Sequence, residues 1–313
     1  MYHYDFSTAF DGKIEEMEKK LASSPIDEDV RGWNYTNSRL APQMDINVSV
    51  SGVAHQGEYD KEEEGTFNME RVEGKLLHEV YSILLEETLN FIHDNDTDIK
   101  DITKLGKHLV TIAPTVLEIN RVVAKIPLFH EVFKKANLKP DELGKIKKHM
   151  NELWNYEALL LYARFMHRLS DSPKDDTLSF MSKKKQNIVA DSMPFTVAET
   201  IDGAKLGLSR KSEMDIFINS PKKAIIEIKT GSKHDLKRDM IQVTGYALAR
   251  ESNHKDEPID IGAVLYIRFS DDVTTPSINC NIFPIQNQLR MEFILLRDKL
   301  MEQKVGTLEG ARR

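Results

Sequence analysis

The sequence predicts an α/β protein, a mixed sheet flanked by helices and carrying an all-helical insertion, and three observations lead there. Apolar residues recur at helical spacing through most of the stretch from Thr66 to Leu169. Short apolar runs bounded by turn residues then follow one another between Ile188 and Phe283. Between two of these runs a charged, helix-compatible segment from Leu236 to Arg250 offers the crossover that a parallel strand pair requires.

Residues 1–65 read as an N-terminal arm. Lys13 to Ala22 is amphipathic, Ser23-Ser24-Pro25 breaks it, and Arg31-Gly32-Trp33-Asn34 precedes a strand-like run from Asp45 to Val50. The indole of Trp33 is the expected anchor of this arm. Residues 66–95 form the first core helix, with Gly74 and His78 one turn apart on it. A glycine inside a helix costs about 1 kcal/mol relative to alanine, which points to a close approach at Gly74.

Residues 96–175 are expected to be the helical insertion. Its candidate helices are Ile102 to Ile112, Thr115 to Val132, Pro140 to His149 and Leu153 to Leu169, with Pro114, Pro127 and Pro140 as breaks or first-turn positions. Ser170 to Asp176 has the composition of a linker. Residues 176–313 then supply the α/β core. Its strand candidates are Ile188 to Ala190, Phe195 to Thr200, Ala204 to Leu208, Met214 to Ile218, Ala224 to Lys229, Ile261 to Ile267 and Ser277 to Phe283, and a helix from Gln286 to Gln303 closes it.

Composition narrows the function. At 313 residues and 40% apolar content the chain can bury a large core. No apolar run approaches the roughly 20 residues needed to span a bilayer, and no signal peptide is evident, so the expected setting is the cytoplasm without membrane attachment. The single cysteine, Cys280, excludes an intrachain disulfide and any zinc or iron-sulfur site built from several cysteines of this chain. A metal here must be held by oxygen and nitrogen ligands. The net charge is -7, yet residues 183–239 hold twelve Lys and Arg against eight Asp and Glu, a local basic excess of four in an acidic protein.

The chemistry-bearing residues fall inside that basic stretch. Asp215 and Glu227 lie on two strand candidates joined by a short turn around Pro221, so pairing can bring both carboxylates to one end of the sheet. Two such carboxylates repel, and a bound cation relieves that repulsion. In Glu227-Ile228-Lys229 the period of two puts Glu227 and Lys229 on one face, and the carbonyl of Ile228 is a candidate further ligand. Gly231 permits a sharp turn, after which Gln242 and Tyr246 share a helix face. Hydrolysis of a phosphodiester needs a hard divalent cation to bind the phosphate and acidify water, and a cationic side chain to meet charge developing on oxygen. An exposed strand edge with alternating charges would show the same spacing, although the apolar flanks Ile216-Phe217 and Ala224-Ile225-Ile226 weigh against it.

Taken in order, Gly74-x-x-x-His78, Asp215, Glu227-x-Lys229 and Gln242-x-x-x-Tyr246 resemble the RecB-like branch of the PD-(D/E)xK nuclease superfamily, whose core is restriction-endonuclease-like. Within it the chain is similar to the CRISPR-associated "Cas four" nucleases of the archaeal subtype-A form. Arg31-Gly32-Trp33-Asn34, Val48-Ser49-Val50-Ser51, Leu206-Gly207-Leu208-Ser209 and Thr244-Gly245-Tyr246-Ala247-Leu248-Ala249 carry that likeness along nearly the whole chain.

The resemblance implies His78, Asp215, Glu227 and the Ile228 carbonyl as ligands of Mg²⁺ or Mn²⁺, Lys229 as the catalytic lysine, and Gln242 and Tyr246 as the helix motif that meets substrate. It implies a DNA exonuclease acting on single strands or single-stranded ends, which processes DNA for spacer acquisition beside CRISPR integrase proteins, with room for a homo-oligomer. Such nucleases usually hold a [4Fe-4S] cluster on four cysteines. This chain lacks those cysteines, Cys280 matches no ligand position, and no iron-sulfur cluster is expected. A general repair or recombination nuclease and a catalytically inactive DNA-binding scaffold of the adaptation complex are the alternative readings of the same residues.

Overall fold

The computed structural model describes residues 8–35, 47–56, 69–94, 103–126, 129–170, 188–189, 192–193, 195–219, 222–230, 234–270 and 273–311. It shows the α/β class the sequence predicts, a mixed five-stranded sheet with flanking helices. The strands are β1 (Phe195–Ile201), β2 (Ser212–Ile218), β3 (Ala224–Thr230), β4 (Ile261–Ser270) and β5 (Val273–Pro284), and they follow one another across the sheet in chain order. The helices are α1 (Thr8–Ser23), α2 (Val50–Ala54), α3 (Met69–Asp94), α4 (Leu105–Val116), α5 (Ile119–Lys125), α6 (Phe129–Ala136), α7 (Pro140–Ser170), α8 (Leu236–Asn253) and α9 (Asn287–Ala311).

The chain divides into two compact units. The first comprises Met1–Ala9, Phe67–Val197 and Ile267–Ile278. Here α3 packs on α7 and α4, and Val72, Leu76 and Val80 of α3, Leu105 and Leu109 of α4, and Met150 and Trp154 of α7 are all buried. The Trp154 indole donates to the carbonyl of Leu109 (3.1 Å), and the Tyr81 hydroxyl donates to Glu157 Oε1 (2.9 Å). His149 pairs with Glu73 and stacks on Phe269, with ring centroids 4.2 Å apart.

The helices of this unit differ from expectation at their prolines. Pro114 sits inside the last turn of α4 instead of breaking it; lacking an N–H, it removes one ladder bond, and the chain leaves the helix two residues later. The expected helix from Thr115 to Val132 is therefore interrupted at Leu117 and Glu118, and α5 starts after it. Conversely, Pro140 opens a single 31-residue helix where two were expected, its fixed φ suiting a first-turn position. Ile188 and Val189 are helical, not extended. Pro127, the linker at 171–176, Pro221 and Gly231 lie outside the described residues.

The second unit comprises Phe10–Thr66, Ala198–Tyr266 and Asn279–Arg313. Its centre is the antiparallel β2–β3 pair, registered Ile216↔Ile226, Phe217↔Ile225 and Ile218↔Ala224, with α8 packed on it and α9 and α2 packed on α8. Asp235 starts α8 by accepting the N–H groups of Lys237 (3.1 Å) and Arg238 (3.3 Å). Every residue from Ile241 to Ala249 is buried. Gly245 permits this packing, because a Cβ there would lie 2.7 Å from Val50 Cγ1 and closer still to the ring of Phe293.

Two sequence expectations in this unit give way to local hydrogen bonds. The strand expected over residues 45–50 is, where described, a single parallel bridge of Val48 to Leu208, after which the Ser49 hydroxyl accepts Gly52 N–H (2.9 Å) and starts α2. The side-chain cap gives the backbone an alternative to a strand ladder. The expected strand Ala204 to Leu208 is one 3-10 turn, Ala204–Leu206, whose first N–H is bound by Asp202 Oδ1 (2.9 Å) and which ends at Gly207 with φ 68°.

The arm is held by Arg31 and Gly32; Trp33 is half-buried, bonded to Glu28 Oε2 (3.3 Å). Glu251, fully buried near the end of α8, receives Gly32 N–H (2.8 Å), Ile259 N–H (2.9 Å) and the guanidinium groups of Arg31 (3.2 Å) and Arg290 (2.7 and 3.1 Å). Asp260 bonds to both arginines as well. This clamp fixes the C-terminal end of the helix that, at its other end, faces the β2–β3 pair.

Candidate active site

The β2–β3 register, extended by one residue, sets Asp215 opposite Glu227. Directly opposed residues of an antiparallel pair have Cβ atoms about 4.5–5.5 Å apart, so both carboxylates occupy one face at one end of the hairpin. The Ile228 N–H donates to Asp215 Oδ2 (2.6 Å), which ties the aspartate of one strand to the backbone of the other. Alternation then returns Lys229 to the face of Glu227, and its ammonium donates to Glu227 Oε1 (2.9 Å).

Helix α8 supplies the opposite wall. Gln242 uses both ends of its amide: Oε1 accepts Lys229 Nζ (2.8 Å), and Nε2 donates to Glu227 Oε1 (2.7 Å) and to the Tyr246 hydroxyl (3.2 Å). Glu227, Gln242 and Tyr246 are buried, whereas Asp215 and Lys229 are half-buried. A buried amide satisfied in this way is costly to misplace, so it fixes the lysine and glutamate relative to each other.

The electrostatics follow from this enclosure. Burial acts against the charged form of Lys229, but the carboxylates of Glu227, Asp239 and Asp215 outweigh it and hold the ammonium protonated above the ordinary lysine range. Burial, with the same Glu227 and Asp215 charges, pushes the Tyr246 phenol well above its usual value, so it stands as a neutral hydrogen-bonding group. Glu213, one alternation before Asp215, adds to that field.

Six of the seven residues singled out in the sequence, Asp215, Glu227, Ile228, Lys229, Gln242 and Tyr246, are thus gathered by the hairpin and α8. His78 is half-buried on α3, in the first unit. Sequence reasoning missed Asp239, a buried carboxylate 3.6 Å from Lys229 Nζ, and its partner Tyr266, whose hydroxyl donates to Asp239 Oδ2 (2.7 Å). The available signal was helical spacing, since 239, 242 and 246 follow i, i+3, i+7.

Among the described residues no group of three or more His, Cys, Asp or Glu side chains is placed to hold a metal ion. The donor set of the hairpin still suits a hard cation. Mg²⁺ is commonly bound through one or two carboxylates, with waters and substrate phosphate completing its octahedron, and Asp215, Glu227 and the Ile228 carbonyl are oxygen donors on adjoining strands. No helix among the described residues is long and apolar enough to cross a membrane.

Comparison with known proteins gives the family. The model of the family described as CRISPR-associated exonuclease Csa1 matches residues 104–305, which include every site residue of the hairpin and α8. A protein of Saccharolobus solfataricus described as CRISPR-associated exonuclease Csa1 is 26% identical, over 91% of this chain and 86% of its own length.

Proposed function

The chain belongs to the CRISPR-associated exonuclease Csa1 family, and on that premise we propose that it is a metal-dependent deoxyribonuclease of the RecB-like, PD-(D/E)xK type. Its substrate is DNA, as single strands or single-stranded ends, and its role is to trim DNA for spacer acquisition beside CRISPR integrase proteins in the cytoplasm. The observation that carries the reading is the ammonium of Lys229, bonded to Glu227 and Gln242 on the face that Asp215 shares.

Asp215, Glu227 and the Ile228 carbonyl would hold Mg²⁺ or Mn²⁺, with His78 the further ligand that the family resemblance assigns. When bound, the cation supplies charge on the scissile phosphate and acidity to the attacking water. Lys229 stays cationic and meets the charge that develops on the phosphate oxygens as the ester bond breaks. Gln242 keeps the lysine on its line, and the Tyr246 hydroxyl, bonded to the Gln242 amide, fixes that amide in turn.

The test is degradation of 5′- and 3′-labelled oligonucleotides with Mg²⁺ or Mn²⁺, with and without EDTA. Chelation should abolish cleavage, and Asp215→Ala and Lys229→Ala should each lower the rate by about a hundredfold or more, measured at a temperature where circular dichroism shows each variant folded. Cleavage that survives either substitution would remove these residues from the mechanism. The pair of labels also gives the polarity.

A further inference from the structure

We propose that Asp239 and Tyr266 form a latch that positions the Lys229 ammonium for catalysis, an inference that rests on the nuclease reading above. Nothing in the motif set assigns either residue. Asp239 lies in the first turn of α8, 3% exposed, and Tyr266 lies on β4, 7% exposed. One carboxylate oxygen of Asp239 faces Lys229 Nζ at 3.6 Å, and the other accepts the Tyr266 hydroxyl at 2.7 Å.

A carboxylate taken out of water at the core of a helix-sheet interface is unfavourable unless its oxygens are engaged. Here each oxygen has a different partner, and the phenol sets which oxygen turns to the lysine. The lysine stem has four rotatable carbons, and its two short hydrogen bonds, to Glu227 Oε1 (2.9 Å) and Gln242 Oε1 (2.8 Å), include one shared oxygen, because Glu227 Oε1 also receives the Gln242 amide (2.7 Å). Asp239 adds an anion on the helix side, where Gln242 offers a neutral acceptor. Asp239 acts from the helix side while Glu227 acts from the strand side. The ammonium thus lies between two anions on separate elements, 2.9 Å from Glu227 and 3.6 Å from Asp239.

Tyr266 completes the chain of contacts outward, because its ring also packs on His234, with centroids 4.3 Å apart, one residue before the Asp235 cap of α8. Asp239 and Tyr266 reach the reaction only through Lys229. They are positioning residues, and their loss should lower turnover without weakening substrate capture.

The experiment compares the parent protein with Asp239→Asn, Tyr266→Phe and the double variant, measuring kcat and KM on a labelled single strand. Melting temperature and fluorescence-anisotropy binding of the same strand are measured alongside. Asp239→Asn keeps an acceptor for the phenol but removes the anion; kcat should fall about tenfold to a hundredfold with KM within roughly twofold. Tyr266→Phe should lower kcat about threefold to tenfold, the scale of one lost hydrogen bond. Because the phenol acts through the carboxylate, the double variant should match Asp239→Asn and not multiply the two losses. A kcat within twofold of the parent for both single variants, a loss confined to KM, or multiplicative losses would overturn the latch. Should Asp239→Asn fail to fold, Tyr266→Phe decides by the same criterion. If the parent shows no cleavage, or Lys229→Ala retains it, the nuclease reading itself fails; an active parent, an inactive Lys229→Ala and a fully active Asp239→Asn refute only the latch.

Discussion

Replacing Glu251 by glutamine tests the clamp that holds α8. The parent carboxylate is fully buried and accepts five bonds, from Arg31, Arg290 twice, Gly32 N–H and Ile259 N–H, at 2.7–3.2 Å. Two arginines and two carboxylates, Glu251 and Asp260, make the cluster formally neutral. Glutamine leaves one net positive charge in the interior and turns an amide NH₂ toward donors. Removing one partner of a buried pair costs about 3–5 kcal/mol, and each backbone N–H left unbonded adds about 1–3 kcal/mol. Against a total stability of about 5–15 kcal/mol, a loss of about 3 kcal/mol is the lower bound. The melting temperature should drop by roughly 6 °C or more, read by circular dichroism alongside a urea titration. A shift below about 2 °C would refute the reasoning. A sharper check compares Glu251→Leu with Glu251→Leu/Arg290→Leu. The double variant restores charge balance, leaving Arg31 with Asp260, and should be the more stable of the two.

Two further outcomes are expected. Gly245→Ala should lower the urea midpoint: overpacking against Val50 and Phe293 costs about 1–3 kcal/mol, more than the helix-propensity gain of about 1 kcal/mol, and a higher midpoint would contradict the packing. Glu157 is buried; burial raises its pKa, opposed by the Tyr81 hydroxyl and the Arg164 charge. An acid whose folded pKa is raised contributes stability that is complete below its unfolded value near 4.5 and lost as pH climbs through the folded one. Glu157→Gln, which keeps the acceptor for Tyr81, should flatten the fall in stability on that rising limb; an unchanged pH slope would count against it.

The legible parts of this molecule were those with short-range periodicity. Alternation through Met214–Ile218 and Ala224–Lys229 gave the hairpin and the face shared by Asp215, Glu227 and Lys229, and an i, i+4 spacing gave Gln242 and Tyr246. Asp239 escaped because an acid in the first turn of a helix, four residues after an aspartate cap, reads as a charge favouring the helix dipole. Only the fold brings Tyr266, 27 residues on, to its other oxygen. The Arg31-Glu251-Arg290 clamp spans 220 and 39 residues and leaves no local trace, so the sequence points to Trp33 as the anchor of the arm instead. At Ser49 and Asp202 the failure was local: a single side-chain hydrogen bond outweighed a weak strand preference.

The charge distribution bears on how an acidic protein could handle a polyanion. Around Lys229 the hairpin and helix gather Asp215, Glu227 and Asp239, three formal negative charges against one positive, and the chain as a whole carries -7. Such a face repels phosphate, and Lys229 alone cannot reverse the sign, since two of the three carboxylates are spent on holding it. A divalent cation on Asp215, Glu227 and the Ile228 carbonyl would bring the cluster to neutrality and leave Lys229 free to act on the substrate as a fixed point charge. On the proposed reading Asp215 and Glu227 would take up the cation, and Asp239 and Gln242, on the helix, would then be left to hold the lysine.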